Sequence, residues 1–484
     1  MIYNYGQFSA RKGKTHNAAE SKIVSGNNEA TIAALRNKLH GPLILPQDPE
    51  YDKARTIFVG GYDRHPAMII QAADAEDVAN AITFAGATGM ELAVRSGGHS
   101  AAGHSVCDGG IVLDLRKMKA LRLDPENRTA WVETGLTAGE YTNAADAHGL
   151  ATGFGDTGSV GIGGITLGGG IGYLSRKLGL TIDNLLAAEV VTADGELLYV
   201  DAESHADLFW AMRGGGGNFG VATRFQFRLH EVGQVFGGML LLPATPEVIT
   251  GFIEAAVSAP DELSTIANVM PAPPMPFLPA EQHGKLTVMA MMVYAGNIEA
   301  GMSAVAPFRK LAQPWADMLR PMRYPEMFPS EAGEYHPLAI GHPMFMDSVS
   351  QEGARTIIEY LQASDAPMRV AQLRVMGGAI GRVSNEATAF AHRHRQIMAN
   401  LATFYTGSED KEKRLSWLAD FTSALPQGEP GAYVNFLSDE GETQVQAAYP
   451  GSTWERLREI KRRYDPTNLF RINHNIRPGE EGSH

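Results

Sequence analysis

Residues equipped for chemistry gather in a few stretches of this 484-residue chain. The first is AVRSGGHSAAGHS, residues 93–105. Its apolar, strand-like approach delivers Arg95, a fixed positive charge suited to a phosphate or an electron-rich ring. Gly97 and Gly98 then remove side chains where the backbone must turn sharply or press against something flat. His99 follows with a ring nitrogen that is largely neutral near pH 7, and so nucleophilic. A plain alternative is a strand ending in a glycine turn with a solvated histidine.

The second stretch, GIGGITLGGGIG from Gly161 to Gly172, has too many glycines for a regular helix and too few polar residues for a solvent loop. Bare backbone of this kind can aim several N–H donors at a pyrophosphate. Ile162, Ile165, Leu167 and Ile171 argue for an ordered, buried turn. A third stretch holds Gly215, Gly217 and Gly220 in G-x-G-x-x-G spacing. A nicotinamide fold of that kind needs a strand before the glycines and a helix after them. Here SHADLFWAMR reads as helix and VATRFQFRL as strand, so the order argues against it.

Positioning these stretches takes more than one core, and the length predicts two or three domains. A net charge of −13 repels phosphate backbones and argues against a nucleic-acid partner. Cys107 is the single cysteine, which excludes an internal disulfide and a multi-cysteine metal site. His392 and His394 in AHRHR stand at i,i+2, which splays them on a helix; the segment reads as a charged helix, with no metal expected. MIYNYGQFSARKGK lacks a signal-peptide core and no apolar run spans a bilayer, so no membrane partner and a cytoplasmic location are the expectations. The oligomeric state is not legible.

Residues 1–28 read as a surface arm. Beyond it, Asp74 is a predicted N-cap for EDVANAITFA, Thr137 caps a helix stopped by Gly149, and Asp194-Gly195 makes a hairpin. From Val232 the glycine density drops. Helices such as PEVITGFIEAAV then alternate with strands such as KLTVMAMMVYA and MRVAQLRVM, an α+β pattern. Gln372, Arg374 and Met376 fall on one strand face there, toward a substrate or simply on a sheet surface.

Taken with ATGFGDTGSVGIGGITLGGGIGYLSRKLGLTIDNL and RGGGGNFGVATRFQFRL, the RSGGHS motif resembles the vanillyl-alcohol oxidase and berberine-bridge enzyme flavoproteins, from about Leu35 to Pro478. The resemblance implies a p-cresol methylhydroxylase-type FAD-binding domain plus a substrate domain with an antiparallel sheet covered by helices. It places the FAD domain at 1–231 and the substrate domain at 232–430, with 431–484 returning to the FAD domain. It implies FAD held by Arg95, Ser96, Gly97, Gly98, His99, Ser100, Thr157, Gly158, Gly161, Gly163, Gly164, Gly168, Gly169, Gly172, Gly220 and Val221, with Asn473 and Asn475 at the flavin's polar edge. In similar proteins the histidine after the paired glycines bonds covalently to the flavin 8α carbon; His99 holds that position and His104 is its local competitor. The cysteine that makes a second flavin bond in many relatives is replaced by Thr157, so one link is expected, as on the 6-hydroxy-D-nicotine oxidase side of the family.

The same resemblance makes Tyr433 in the Y-x-N segment AYVNFLSDE the candidate base and Asn435 a nearby polar anchor. A strand tyrosine with its hydroxyl at the surface is the alternative. Val160 takes the place beside the flavin's oxygen-reactive carbon, where valine accompanies oxidase behaviour. The expected function is an oxidase that passes a hydride from a small alcohol or amine to covalently bound FAD, with oxygen as acceptor and hydrogen peroxide as product. A dehydrogenase using another acceptor, and a flavin-binding protein without turnover, are the alternatives.

Overall fold

The computed structural model describes residues 27–328, 336–426, 430–439 and 441–479. Most of the expected N-terminal arm therefore lies outside the described residues. The first layer is a four-stranded sheet in the order Leu43–Ile44, Met68–Gln71, Ile111–Asp114, Leu92–Arg95. Its first pair is antiparallel, while Ile111–Asp114 runs parallel to both Met68–Gln71 and Leu92–Arg95. Helix Ala75–Thr88 makes the crossover. Asp74 caps it by accepting from the Glu76 and Asp77 N–H groups, and Gly89 ends it at φ +70°. Val78, Ala81, Ile82 and Ala85 repeat at helical spacing and are fully buried. RSGGHS thus leaves the end of a βαβ unit, from the edge strand of this sheet.

The second layer is an antiparallel sheet ordered Leu121–Asp124, Thr129–Glu133, Val221–Arg228, Leu185–Val191, Leu197–Asp201. Its hairpin over Asp194-Gly195 pairs Val191 with Leu197. Helix Ala138–Asp146 covers it, started by a reciprocal capping box between Thr137 and Glu140. The glycine stretch contains a short helix, Ile162–Leu167, where the glycine count had argued for a turn. Buried Ile162 and Thr166 hold that helix on the core, and packing overrides the poor helix propensity of Gly163 and Gly164.

Beyond Val232 an eight-stranded antiparallel sheet forms, with Leu286–Tyr294, Leu263–Pro271, Arg369–Val375 and Ile397–Phe404 at its centre. Helices Pro246–Val257, Ile298–Arg309, Gln351–Ala363 and Ser408–Ala424 contribute to one core with this sheet, through residues such as Phe252, Phe308, Ile357 and Phe421. A separate cluster joins Ile171, Leu180 and Ile182 of the glycine region to Phe345, Met376, Met398 and Tyr433. The sheet therefore lies between its helices and the glycine stretch, and Met376 is core.

The expected charged helix over AHRHR is not formed: 391–395 is irregular, and the strand begins at Ile397. Arg393 is fully buried and pairs bidentately with Asp183 at 2.8 and 3.0 Å, while His392 stacks on Phe345 and meets the Ala447 carbonyl. These long-range partners take the segment out of helical register.

The C-terminal stretch joins the core of the second sheet through Ala432, Val434, Leu437, Tyr449, Leu457 and Ile476. Lys461 fastens it. Its fully buried ammonium donates to Asp465 Oδ2 (2.6 Å), the Asn218 carbonyl (2.8 Å) and the Phe470 carbonyl (2.9 Å). No helix among the described residues is long and apolar enough to cross a membrane.

Candidate active site

RSGGHS and the glycine stretch meet backbone to backbone. A Cβ on Gly97 would lie 2.2 Å from the Gly161 nitrogen, and one on Gly161 would lie 2.2 Å from Ser96 Oγ. No side chain fits at either place. Ser96 Oγ ties the two segments, donating to the Thr134 carbonyl (2.6 Å) and accepting from Gly163 N–H (3.2 Å). Further on, Gly169 and Gly170 sit at φ +129° and +82°, conformations that turn successive N–H groups inward.

Between these segments lies a cavity of ≈ 480 Å³. Its wall takes in residues 96–101, much of 155–167, Gly216 to Gly220, and Ile340, Gly341 and Asn400 of the large sheet. Residues 433–437 and 472–474 complete it from the C-terminal end. Ser96, Gly97, Gly98, His99, Ser100, Thr157, Val160, Gly161, Gly163, Gly164, Gly220, Val221, Tyr433, Asn435 and Asn473 all line it. Gly158, Gly168, Gly169, Gly172 and Asn475 stand behind that wall. So does Arg95, whose fully buried guanidinium donates to the Ala54 and Thr56 carbonyls instead of facing the cavity. Arg95 braces segment 54–58, and Phe58 at its end stacks on His99 with ring centres 4.0 Å apart.

His99 Nε2 lies 3.0 Å from Ser159 Oγ. Burial pushes the His99 pKa down to about 4, against a small opposing effect of the Ser159 backbone. The ring is therefore neutral at pH 7. His104, also in the wall, falls to about 4 through burial and the nearby Arg64 charge. Cys107 is buried, and its thiol is pushed up to about 11, chiefly by burial.

The Tyr433 hydroxyl is not at the surface. Its oxygen accepts from Gly170 N–H (2.9 Å), Ile171 N–H (3.2 Å) and Asn435 Nδ2 (2.9 Å). Burial raises the Tyr433 phenol above the ordinary tyrosine value, while those three donors and the Arg374 charge pull it back. Asn435 also donates to the Ile165 carbonyl (3.0 Å) and occupies the space a Gly168 side chain would need. Beside them, Arg374 Nη2 reaches Asp156 Oδ2 at 2.6 Å and Gln372 Oε1 at 2.8 Å, and Gln372 donates to Asn268 Oδ1. Asp156 and Phe436, the ring 5.0 Å from the Arg374 guanidinium, both face the cavity.

Polar atoms without partners show what the cavity suits. Asn473 Oδ1 and Asn400 Oδ1, both in the wall, are buried acceptors with no hydrogen bond, a state that is costly unless a ligand donor meets them. Side-chain-free backbone on one wall and acceptor amides at the end fit a long, flat group that carries ring N–H donors and phosphates. FAD is such a group. Phe58, Ser159, Asp156 and Asn400 were not singled out from the sequence. Asp156 and Ser159 sit inside the quoted glycine-rich segment, but Phe58 and Asn400 are brought in only by tertiary packing.

Residues 66–201 match the FAD binding domain family, and residues 432–477 match the berberine and berberine-like family. An uncharacterized FAD-linked oxidoreductase of Bacillus subtilis (strain 168), YgaK, is 30% identical over 454 residues, covering 92% of this chain and 98% of its own. The (R)-6-hydroxynicotine oxidase of Paenarthrobacter nicotinovorans is 28% identical, over 92% of this chain and 98% of its own. The crystal structure of 6-hydroxy-D-nicotine oxidase from Arthrobacter nicotinovorans superposes with a TM-score of 0.80 at 26% identity, over 91% of this chain and 98% of that one. Glycine walls, a half-buried neutral histidine and unmet amide acceptors thus coincide with full-length similarity, and the chain belongs to the FAD-linked oxidoreductases of the berberine-bridge enzyme type.

Proposed function

We propose that the protein is an oxidase of a small alcohol or amine, with FAD bonded once through His99 and oxygen reduced to hydrogen peroxide. One observation carries the reading: a single cavity is lined by neutral His99, by Val160 and by Tyr433 in its cradle of N–H donors. FAD, when bound, supplies a two-electron acceptor for the substrate C–H bond. The chain's part is to hold, orient and move protons.

His99 anchors the cofactor, and Thr157 in the cysteine position leaves that as the one attachment. Gly97, Gly161 and Gly163 give backbone access, and Asn473 accepts at the polar edge. Tyr433 takes the proton from the substrate O–H or N–H. The three donors around its oxygen favour the phenolate that this role requires, in the way oxyanion-hole donors favour a developing charge. Asn435 keeps that phenol oxygen on the glycine stretch. Asn400 Oδ1, a buried acceptor on the large sheet, suits a donor group of the substrate. In this reading residues 1–231 and 431–484 form the cofactor unit and 232–430 the substrate unit.

The test is a panel of secondary alcohols, aromatic alcohols, amines and reducing sugars given to the yellow protein. Anaerobic bleaching by at least one alcohol or amine, with stoichiometric peroxide once air is admitted, is expected. Bleaching that air reverses only slowly would replace the oxidase with a dehydrogenase.

A further inference from the structure

We infer that Ser159 is a positioning residue for the cofactor bond: it holds His99 by Nε2 and so presents Nδ1 as the attacking nitrogen. The inference rests on the reading of His99 as the attachment residue.

The argument starts from the two ways an imidazole can sit in a flat slot. Phe58 stacks on the His99 ring at 4.0 Å with planes 18° apart. That contact fixes the ring plane but not which edge faces which wall, because a half-turn of the ring keeps the stack. The Ser159 hydrogen bond breaks the symmetry, with Nε2 3.0 Å from Oγ. Among the described residues, the other nitrogen, Nδ1, has no hydrogen-bond partner. Neutral imidazole carries one N–H and one lone pair, and only the lone pair attacks carbon. The Ser159 backbone also favours a proton on the ring, as a carbonyl acceptor does. The Ser159 hydroxyl can accept from a protonated Nε2, and in that tautomer the lone pair stands on Nδ1.

Ser159 is itself held from both sides. Gly139 N–H donates to the Gly158 carbonyl and Ala138 N–H to the Val160 carbonyl, each at 2.8 Å. These are the first residues of helix Ala138–Asp146, so a capped helix sets the place of the hydroxyl.

The coupling balances as follows. The 8α methyl group loses one hydrogen as a proton, and the His99 Nδ1 lone pair forms the new N–C bond. The Nε2 proton leaves by way of Ser159, so the alkylated imidazole ends neutral. The electron pair of the broken C–H bond passes with the two protons to dioxygen, giving hydrogen peroxide. Ser159 Oγ accepts from Nε2–H before the bond forms and donates to the Nε2 lone pair afterwards, a reversal open to a hydroxyl but not to a carbonyl or an amine cation.

Flavin-free protein is mixed with FAD in air, and the flavin left on acid-precipitated polypeptide is followed with time. Bound FAD before precipitation is measured in parallel. Ser159→Ala is expected to bind FAD as the native chain does but to couple about tenfold more slowly, the scale of one hydrogen bond. Its His99 peptide should carry a mixture of Nδ1 and Nε2 linkages, resolved by NMR. Ser159→Thr, which keeps the hydroxyl, should restore rate and a single Nδ1 linkage. A merely structural role would lower FAD binding and leave the linkage isomer unchanged, and that result overturns the inference. Native-rate coupling through Nδ1 alone in Ser159→Ala overturns it as well, while leaving His99 in place. Flavin that stays on the polypeptide in His99→Ala would instead remove the attachment reading itself.

Discussion

Replacing Tyr433 by phenylalanine separates the anchoring role its oxygen has in the structure from its proposed role as base. The phenylalanine ring keeps the edge contacts to Phe390 (6.0 Å) and Phe436 (5.3 Å). Only the acceptor is lost. Asn435 Nδ2 retains the Ile165 carbonyl, whereas the buried N–H groups of Gly170 and Ile171 lose the partner the structure gives them. At roughly 1–3 kcal/mol for each unsatisfied buried group, the variant should lose about 2–6 kcal/mol of stability. Loss of a general base should separately slow cofactor reduction by about 10²–10⁴-fold, or roughly 3–5 kcal/mol of barrier.

Urea unfolding reads the first effect. Anaerobic stopped-flow on fully loaded protein reads the second, with whichever compound of the panel bleaches it. The pH profile adds a sign. Burial holds the phenol above its ordinary value, so the deprotonated fraction grows with pH throughout the neutral and mildly alkaline range. Native reduction should therefore accelerate by up to about tenfold per pH unit there, and Tyr433→Phe should lose that slope. A loaded variant that reduces at the native rate would refute the base assignment and move the search to the Asp156–Arg374–Gln372 group. An unchanged unfolding midpoint would refute the anchoring role.

Two further outcomes are expected. Val160→Leu adds a methylene to the cavity wall and should slow reoxidation by air far more than reduction by substrate; equal slowing of the two half-reactions would show that Val160 is ordinary packing. His392, pushed down to about 4 mainly by burial, is neutral when folded, so the unfolded chain binds the extra proton between about pH 6.5 and 4. Stability should fall with acid across that window, and His392→Asn should reduce the slope of unfolding free energy by up to about 1.4 kcal/mol per pH unit, measured by urea titration at several pH values.

What the sequence made legible follows the range of the forces involved. Caps and turns are local, and Asp74, Thr137, Gly149 and Asp194-Gly195 occupy the places their residue types announce. The order of helix and strand around Gly215 to Gly220 was readable for the same reason: helix Ala206–Met212 precedes and strand Val221–Arg228 follows. Charge without its partner misled. Arg95 reads as a cation for a ligand, but its acceptors are carbonyls 39 and 41 residues upstream. AHRHR reads as a solvated helix, but Arg393 finds Asp183 at a separation of 210 residues. Residue type sets the demand for a partner, and only the fold supplies it.

The same long-range pairing explains how a site made of distant segments holds its shape. Four of the stretches of wall come from residues near 97, 161, 218 and 473, and none closes the cavity alone. Asn218 links the last two: its side chain donates to the His474 carbonyl at 3.1 Å and accepts from Ile476 N–H at 2.9 Å. Its own carbonyl accepts from Lys461. A buried Lys–Asp pair is weak evidence for stability as such, because desolvation offsets much of the attraction. Here the ammonium is shared among Asp465 and the carbonyls of Asn218 and Phe470, so it sets geometry: it fixes the C-terminal wall against the glycine turn. A ligand that touches all four stretches binds only the folded arrangement and stabilises it in proportion to the logarithm of its concentration over its dissociation constant. A covalent bond at one end removes that dependence on concentration. The single link proposed through His99 would keep the cofactor in a cavity whose walls are joined by hydrogen bonds and packing.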